Sequence, residues 1–447
     1  MDLVDYKKVF EDSLDGLVKL LQIPSVYDER TVCESMPYGQ GVYDALCYMK
    51  EIALKDGFDV VEYDNHAIAI RYRQSSKRVD IVSHLDVVEP GNNWSYDPFA
   101  ATIEDGKMYA RGTQDMKTSA WLSYLALKLM RDLHPEIDCE VRIVLGCDEE
   151  RTMNDMRYYV EKAGKPDFAF TPDGYFPMGI GEKGALMWRL KGEYRGLVEK
   201  LVGGVQCNVI APSAYAIVSD CSYQERIEKY LVDSGIQGEV KVENDKLRID
   251  VVGKAAHCSR PDDGHNATCD LLEVLGYCLE DEWFQQMASC FYSPYGLGCD
   301  LDVEIEPMGK LTMNLGVLRI EDGMVYGEVD SRYPYGITSK ELTNRLQASC
   351  PCLISLDYDD IPTLCQMDDP YVQAMLKTYR DLTQDMSEPM ISGGVSYSKV
   401  FEHCVSFGLG RKGEPMLAHQ ANEYIELEKI PMYLQIYYET ILAIAKV

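Results

Sequence analysis

Five short stretches of this 447-residue chain carry side chains that could do chemistry. The run RVDIVSH ends at His84-Leu85-Asp86, an imidazole at a strand terminus with a carboxylate two residues on and pointing the same way. That pattern suits a metal ligand beside the group that orients it. Asp115 lies in YARGTQDMK, ahead of a helical stretch, and EVRIVLGC runs into Asp148-Glu149-Glu150. Three consecutive carboxylates after an apolar strand are costly unless a cation or solvent compensates them. DFAFTP is followed by Asp173, and MLAHQANEYI places His419 beyond a further apolar strand, HCVSFGLG. Each has an ordinary reading on its own. His84 and Asp86 read as a solvated pair, Asp115 as a helix N-cap, the acidic run as a helix start favoured by the dipole, and Asp173 as a turn former before Gly174. As a set they read differently, because each follows a separate expected strand or the loop leading to the next helix, so one sheet edge would collect them. A cluster of nitrogen and oxygen donors without thiolate fits zinc, manganese or cobalt. A carboxylate shared between two ions would make a two-metal hydrolytic site.

The elements that must position these residues follow from hydrophobic periodicity. Val9, Phe10, Leu14, Leu17, Val18 and Leu21 recur at helical spacing over 7–22, where Pro24 stops them, and 42–56 repeats the pattern up to Gly57. AIAIRY, RVDIVSH, EVRIVLGC and DFAFTP read as strands, with helices expected at 117–133 and 152–163. Strand-helix-strand order predicts a mainly parallel sheet with helices on its faces, and ligands gather at the carboxyl ends of such strands. After about Gly181 the texture changes to longer alternating runs, with turn signals at Glu243-Asn244-Asp245 and Asp322-Gly323 that predict antiparallel hairpins. Helices are expected there at 222–234, 267–279 and 339–349. Past Pro362 the first style returns, with helices expected at 370–384 and 427–445. The fold class expected is α/β: a catalytic domain, 1–181 plus 361–447, with a mainly parallel mixed sheet flanked by helices, interrupted by an α+β lid domain, 182–360, with an antiparallel sheet.

Composition excludes several partners. Lys and Arg number 44 against 73 Asp and Glu, a net charge of −29 that repels phosphate backbones and anionic lipid, so neither nucleic acid nor membrane is an expected partner. The N-terminal MDLVDYKKVFEDSLDGL lacks the basic-then-apolar layout of a signal peptide, and fifteen cysteines, an odd number without a CxxC pair, read as reduced thiols. A cytoplasmic location is expected.

SHLDVV, ARGTQDMK, GCDEE, PDGYFP and AHQANEY stand in the order and approximate spacing of the aminoacylase/carnosinase group of dinuclear zinc peptidases. The length of the inserted domain makes the chain resemble that group's bacterial dipeptidase branch, whose members cleave dipeptides with a free N-terminus. The resemblance implies that His84 and Asp173 bind one ion, that Glu150 and His419 bind the other, and that Asp115 bridges them. It implies two Zn2+, with Mn2+ or Co2+ as substitutes. Glu149 would be the general base, deprotonating a water between the ions, and Asp86 would hold the His84 ring in its tautomer. Gly253-Lys254-Ala255-Ala256-His257, with Pro261, Gly264, Asn266 and Ala267, resembles the lid histidine signature. Gly203-Gly204 with Asn208, and Val329-Asp330-Ser331-Arg332-Tyr333-Pro334, resemble the family's substrate-binding amide and carboxylate-clamping arginine. Gly394 and Ser396 lie in SGGVSYSK, which resembles a Gly-rich substrate loop but has Val395 and Ser396 where Gly and Thr are usual, and Lys399 at a frequent Arg position. Met116 and Thr118 also depart from the usual acid and glycine after the bridging Asp. The implied substrate is a dipeptide, and the long lid implies a monomer. An N-acyl amino acid deacylase, a succinyl-diaminopimelate desuccinylase, a short-peptide carboxypeptidase and a non-catalytic metal-dependent peptide-binding protein stay open. Cys147 and Cys258 adjoin site motifs, where oxidation could disturb them, although small apolar packing is the commoner use of free Cys.

Overall fold

The computed structural model describes residues 4–411 and 413–447, and it divides the chain into two compact units, Met1–Gly181 with Leu364–Val447, and Glu182–Thr363. The first unit is built on a mixed sheet whose strands run, in spatial order, Asp59–Tyr63, Ala67–Arg71, Glu140–Gly146, Arg78–His84, Phe168–Thr171, Cys404–Ser406 and Gly179–Glu182. The three central pairings are parallel. The pairings of Asp59–Tyr63 with Ala67–Arg71, of Ala67–Arg71 with Glu140–Gly146 and of Cys404–Ser406 with Gly179–Glu182 are antiparallel, which makes the sheet mixed as expected. Glu140–Gly146 is buried along its whole length, and Arg78–His84 at all but its first residue. Strands in the parallel middle of such a sheet are covered on two faces, and here even Asp80, Glu140 and Arg142 are buried. Helix Lys117–Leu133 packs against Ile430–Ile444, and Tyr6–Leu21 buries Phe10, Leu17, Leu20 and Leu21 against the same core. The last helix starts three residues later than the periodicity predicts, because Leu427–Lys429 forms a separate 3-10 turn ahead of Pro431.

One pairing in this unit was not legible from periodicity. Lys107–Tyr109 pairs antiparallel with Tyr424–Glu426 and with Thr102–Glu104, in strands of only three residues. This small sheet fixes the C-terminal loop containing His419 beside the loop containing Asp115.

The second unit carries an eight-stranded sheet in which every pairing between neighbours is antiparallel. Its hairpins turn where the sequence indicates. Asn244 and Asp245 have φ of 51° and 58°, and Asp322 and Gly323 have 52° and 74°, the left-handed pair that a two-residue type I′ turn requires. Burial alternates along Lys246–Val252, the signature of a sheet with one covered face. The covering helices are Gln224–Ser234, Ala267–Leu279, Glu282–Phe291 and Ser339–Ser349. The helix Glu282–Phe291 is not anticipated by the periodicity. It comes after Ala267–Leu279 and a break at Glu280, which is in the left-handed region, and Asp281 caps it. Among the described residues no helix is long and apolar enough to cross a membrane.

Candidate metal centre and the residues around it

The central parallel strands all end on one edge, and three of them deliver acids or a histidine there. His84 closes Arg78–His84, Glu149 and Glu150 follow Glu140–Gly146, and Asp173 follows Phe168–Thr171. His84 is fully buried, and its Nε2 lies 3.0 Å from Asp115 Oδ1, 3.8 Å from Asp173 Oδ2 and 4.0 Å from Glu149 Oε2. His419 Nε2 lies 3.1 Å from Asp115 Oδ2 and 3.0 Å from Glu150 Oε2. The two oxygens of Asp115 therefore face different imidazoles. His84, Glu149 and Asp173, and likewise His84, Asp115 and Glu150, each offer donor atoms that lie within 4.8 Å of one another. Glu149 stands at ligand-like distance too, so distance alone does not separate a base from ligands here.

The electrostatics point to a cation. Among the described residues, the ion-pair partners of Asp115, Glu149 and Glu150 are the imidazoles His84 and His419, with no lysine or arginine among them. Burial pushes the Glu149 carboxyl far above the usual carboxylate range; His84 opposes it, and the charges of Asp173, Glu150 and Asp115 add to the rise. Burial also raises Glu150. Burial disfavours charge on His84, yet its hydrogen bonds to Asp115 and Asp86 outweigh this and raise it. Hydrogen bonds donated to Asp115 and Glu150 lift His419 to about 10. Such a set of oxygen and nitrogen donors, short of positive charge and free of thiols, fits a borderline divalent ion such as zinc.

The surrounding structure corrects several local readings. Asp115 is not a helix cap: Met116 occupies the N-cap of Lys117–Leu133 and makes no side-chain capping bond. Nor does the acidic run start a helix, since Asn154–Ala163 begins four residues after Glu150 and leaves Asp148-Glu149-Glu150 in a turn. Asp86 meets the His84 ring mainly through its backbone, with Nδ1 2.9 Å from its carbonyl oxygen and 3.5 Å from its carboxylate. The Asp86 carboxylate instead accepts the amides of Glu149 (3.3 Å) and Glu150 (3.1 Å). Sequence reasoning missed the next layer. Asp155, fully buried, accepts the amides of Cys147 and Asp148 and the Tyr397 hydroxyl, and the Tyr397 ring stands edge-on to His84. Its only signal in the sequence was an acid early in a helix. Ser396 caps the 3-10 turn Tyr397–Val400 with its hydroxyl, and the Gly394 amide donates to Ser392 Oγ. Cys147 and Cys258 are both buried, and burial pushes the Cys258 thiol up to about 12, so neither is a reactive thiolate.

In the second unit the residues of the lid motifs also gather. Val209 and His257 form an isolated antiparallel bridge, and the Cys258 amide donates to the Asn208 carbonyl. His257 Nδ1 lies 2.8 Å from Ser259 Oγ. Arg332 is not the surface ion pair an arginine commonly makes. It is buried, and its Nε and Nη2 donate to the two oxygens of Asp330 at 3.0 and 3.1 Å. Cys258 Sγ donates to the same carboxylate. Asn314 holds the backbone on both sides of Asn208, donating to the carbonyls of Cys207 (2.9 Å) and Val209 (3.0 Å), and Asn266 donates to Asn314 Oδ1.

The ordered motifs, the mixed sheet and the donor cluster at its edge define a metallopeptidase. Residues 81–443 match the pattern of peptidase family M20/M25/M40, and the chain belongs to that family. The Beta-Ala-Xaa dipeptidase of Lactobacillus delbrueckii subsp. lactis is 27% identical over 469 residues, covering 100% of this chain and 99% of that one. Among solved structures, human carnosine dipeptidase 1 covers 100% of both chains with a TM-score of 0.59 at 14% identity. The M20 family metallo-carboxypeptidase Sso-CP2 from Sulfolobus solfataricus covers 98% of this chain and 100% of its own, with a TM-score of 0.59 at 19% identity. At these identities the structural likeness speaks for the fold.

Proposed function

We propose that this chain hydrolyses dipeptides with a free N-terminus at a centre of two zinc ions. The observation that carries the reading is Asp115, whose Oδ1 faces His84 and whose Oδ2 faces His419. One carboxylate turned to two imidazoles is the donor pattern that a pair of ions sharing a bridge requires. His84 and Asp173 would hold one ion, His419 and Glu150 the other, with Mn2+ or Co2+ able to replace Zn2+. When bound, the ions would lower the pKa of water and polarise the scissile carbonyl.

The remaining work falls to the chain. Glu149 sits among the ligands with its basicity raised by burial and by neighbouring acids, and it takes the proton of the attacking water and returns it to the leaving amine nitrogen. Asp86 keeps Glu149 and Glu150 in place by accepting both their amides. His257 donates to the developing oxyanion, and Asn208 binds the substrate backbone. Arg332, its guanidinium plane fixed by Asp330, pairs with the C-terminal carboxylate. Gly394 and Ser396 line the substrate loop. The relative that acts on Beta-Ala-Xaa dipeptides, aligned over the whole chain, supports a dipeptide substrate.

The test is a panel of dipeptides assayed beside their N-acetylated forms and N-acetyl amino acids, with metal counted by elemental analysis. Turnover confined to free dipeptides, with about two transition ions per chain, is expected. Preference for the acetylated compounds, or full activity after complete chelation, would overturn the reading.

A further inference from the structure

Glu423 and Gln114 make no part of the chemistry above, yet each reaches from one ligand-bearing loop into the other. Glu423, four residues past His419, is completely buried. Its Oε2 accepts from Arg111 Nη1 at 2.7 Å and from the Gly112 amide at 3.2 Å. Its Oε1 accepts from the Gln114 amide at 2.7 Å, the Asp115 amide at 3.3 Å and the Thr113 hydroxyl at 3.4 Å. In the other direction, Gln114 Nε2 donates to the carbonyls of Tyr424 (2.9 Å) and Pro415 (3.3 Å), and Gln114 Oε1 accepts the Leu417 amide at 2.7 Å. Arg111 closes the set. It reaches the Gln420 carbonyl at 3.3 Å and the Glu89 and Pro90 carbonyls at 3.5 and 3.4 Å, and its guanidinium lies over the Trp94 ring.

We propose that Glu423 and Gln114, with Arg111 as counterion, are positioning residues that set the spacing of Asp115 and His419 and thereby the affinity for the ion those two share. The proposal rests on the two-metal reading and deepens it. Both ligands sit on irregular loops, where holding a donor at a fixed separation costs conformational entropy unless other bonds order the backbone. A buried carboxylate that takes donors from five consecutive residues, 111 to 115, orders one loop. Gln114 orders the other by bonding its backbone on both sides of His419. Charge-assisted bonds of this kind are strong. The first ion shares Asp115, but its other ligands, His84 and Asp173, sit at or just past the ends of sheet strands outside the clasp.

The experiment strips the full-length chain with a chelator and titrates Zn2+ back against a competing chromophoric chelator, for the wild type, Gln114→Leu and Glu423→Gln. The wild type should take two ions. Gln114→Leu, which removes the three side-chain bonds with little change of volume, should bind one of them about ten- to a hundredfold more weakly, the usual cost of losing a group that orients a ligand. The other ion, which shares only Asp115 with the clasped loops, should be affected much less, the melting point of the stripped chain should stay within a few degrees of wild type, and kcat should recover at saturating Zn2+. Glu423→Gln should act in the same direction and more strongly. Unchanged affinity for both ions in both variants would overturn the proposal, as would an equal loss of both ions together with a lowered melting point, the mark of a merely structural role. A wild type that binds fewer than two ions fails at the first arm, and then the two-metal reading falls and takes this proposal with it.

Discussion

The donor cluster of the first unit and the His257–Arg332 cluster of the second are both built from charged residues, but they are balanced in opposite ways. In the second unit the chain supplies its own counterion, Asp330 lying bidentate against Arg332, and the amide ladder Asn266–Asn314 satisfies the backbone around Asn208. In the first unit Asp115, Glu149 and Glu150 crowd against two imidazoles and, among the described residues, no guanidinium or ammonium. A buried charge without compensation costs several kcal/mol or shifts its pKa to escape ionisation. A region that retains such a deficit is therefore one that a bound cation completes, whereas a balanced cluster is complete in itself and available to recognise something that arrives.

The contrast breaks most easily at Glu149. If that side chain is a base and not a ligand, Glu149→Ala should still bind two ions, yet lose about 10²- to 10⁴-fold in kcat. Metal analysis beside steady-state kinetics decides it. Loss of an ion together with the activity would move Glu149 into the ligand set and leave the centre without its base.

A smaller effect is expected in the balanced region. Arg332→Lys keeps the charge but loses the planar fork that matches both Asp330 and a substrate carboxylate. A charged hydrogen bond is worth about 1.5–3 kcal/mol, so KM should rise about ten- to a hundredfold with kcat much less affected. A fall in kcat at constant KM would instead place the guanidinium at the reacting bond.

How much of this was readable beforehand differs between the same two regions. His84, Glu149, Glu150 and Asp173 were legible because strand periodicity fixes where a run ends, and residues at or just past the ends of parallel strands share one sheet edge. The two-residue hairpins of the second unit were legible because Asn244-Asp245 and Asp322-Gly323 carry left-handed turn chemistry. Features that depend on contacts distant in sequence escaped. The three-residue strand Tyr424–Glu426 is too short to show a period, and its pairing with Lys107–Tyr109 helps bring His419 to Asp115. Asp86 was read by its carboxylate, while its backbone carbonyl is the nearer group to His84. Asp155 and Glu423 looked like any acids in a chain carrying 73 Asp and Glu, because nothing local distinguishes a buried acceptor from a solvated one.

The smallest effect expected concerns the layer beneath the unbalanced cluster. Asp155 accepts two backbone amides of the turn that carries Glu149, and burial, followed by the charge of Asp86, pushes its carboxyl up to about 7. Its folded pKa is thus above the ordinary carboxylate value, and the protonated form is the one the fold prefers. Stability from this group is present below the ordinary value and is lost as the pH climbs through about 7. Asp155→Asn mimics the neutral acid and lacks that slope. In melts of the metal-stripped chain at about pH 5 and about pH 8, the wild type should lose a few degrees relative to Asp155→Asn on going to the higher pH. The effect should shrink when Zn2+ is restored, because added positive charge at the strand edge favours the ionised carboxylate behind it. A wild type and variant that melt in parallel across this range would show that the crowding of negative charge stops at the donor cluster and does not extend into the residues that hold it.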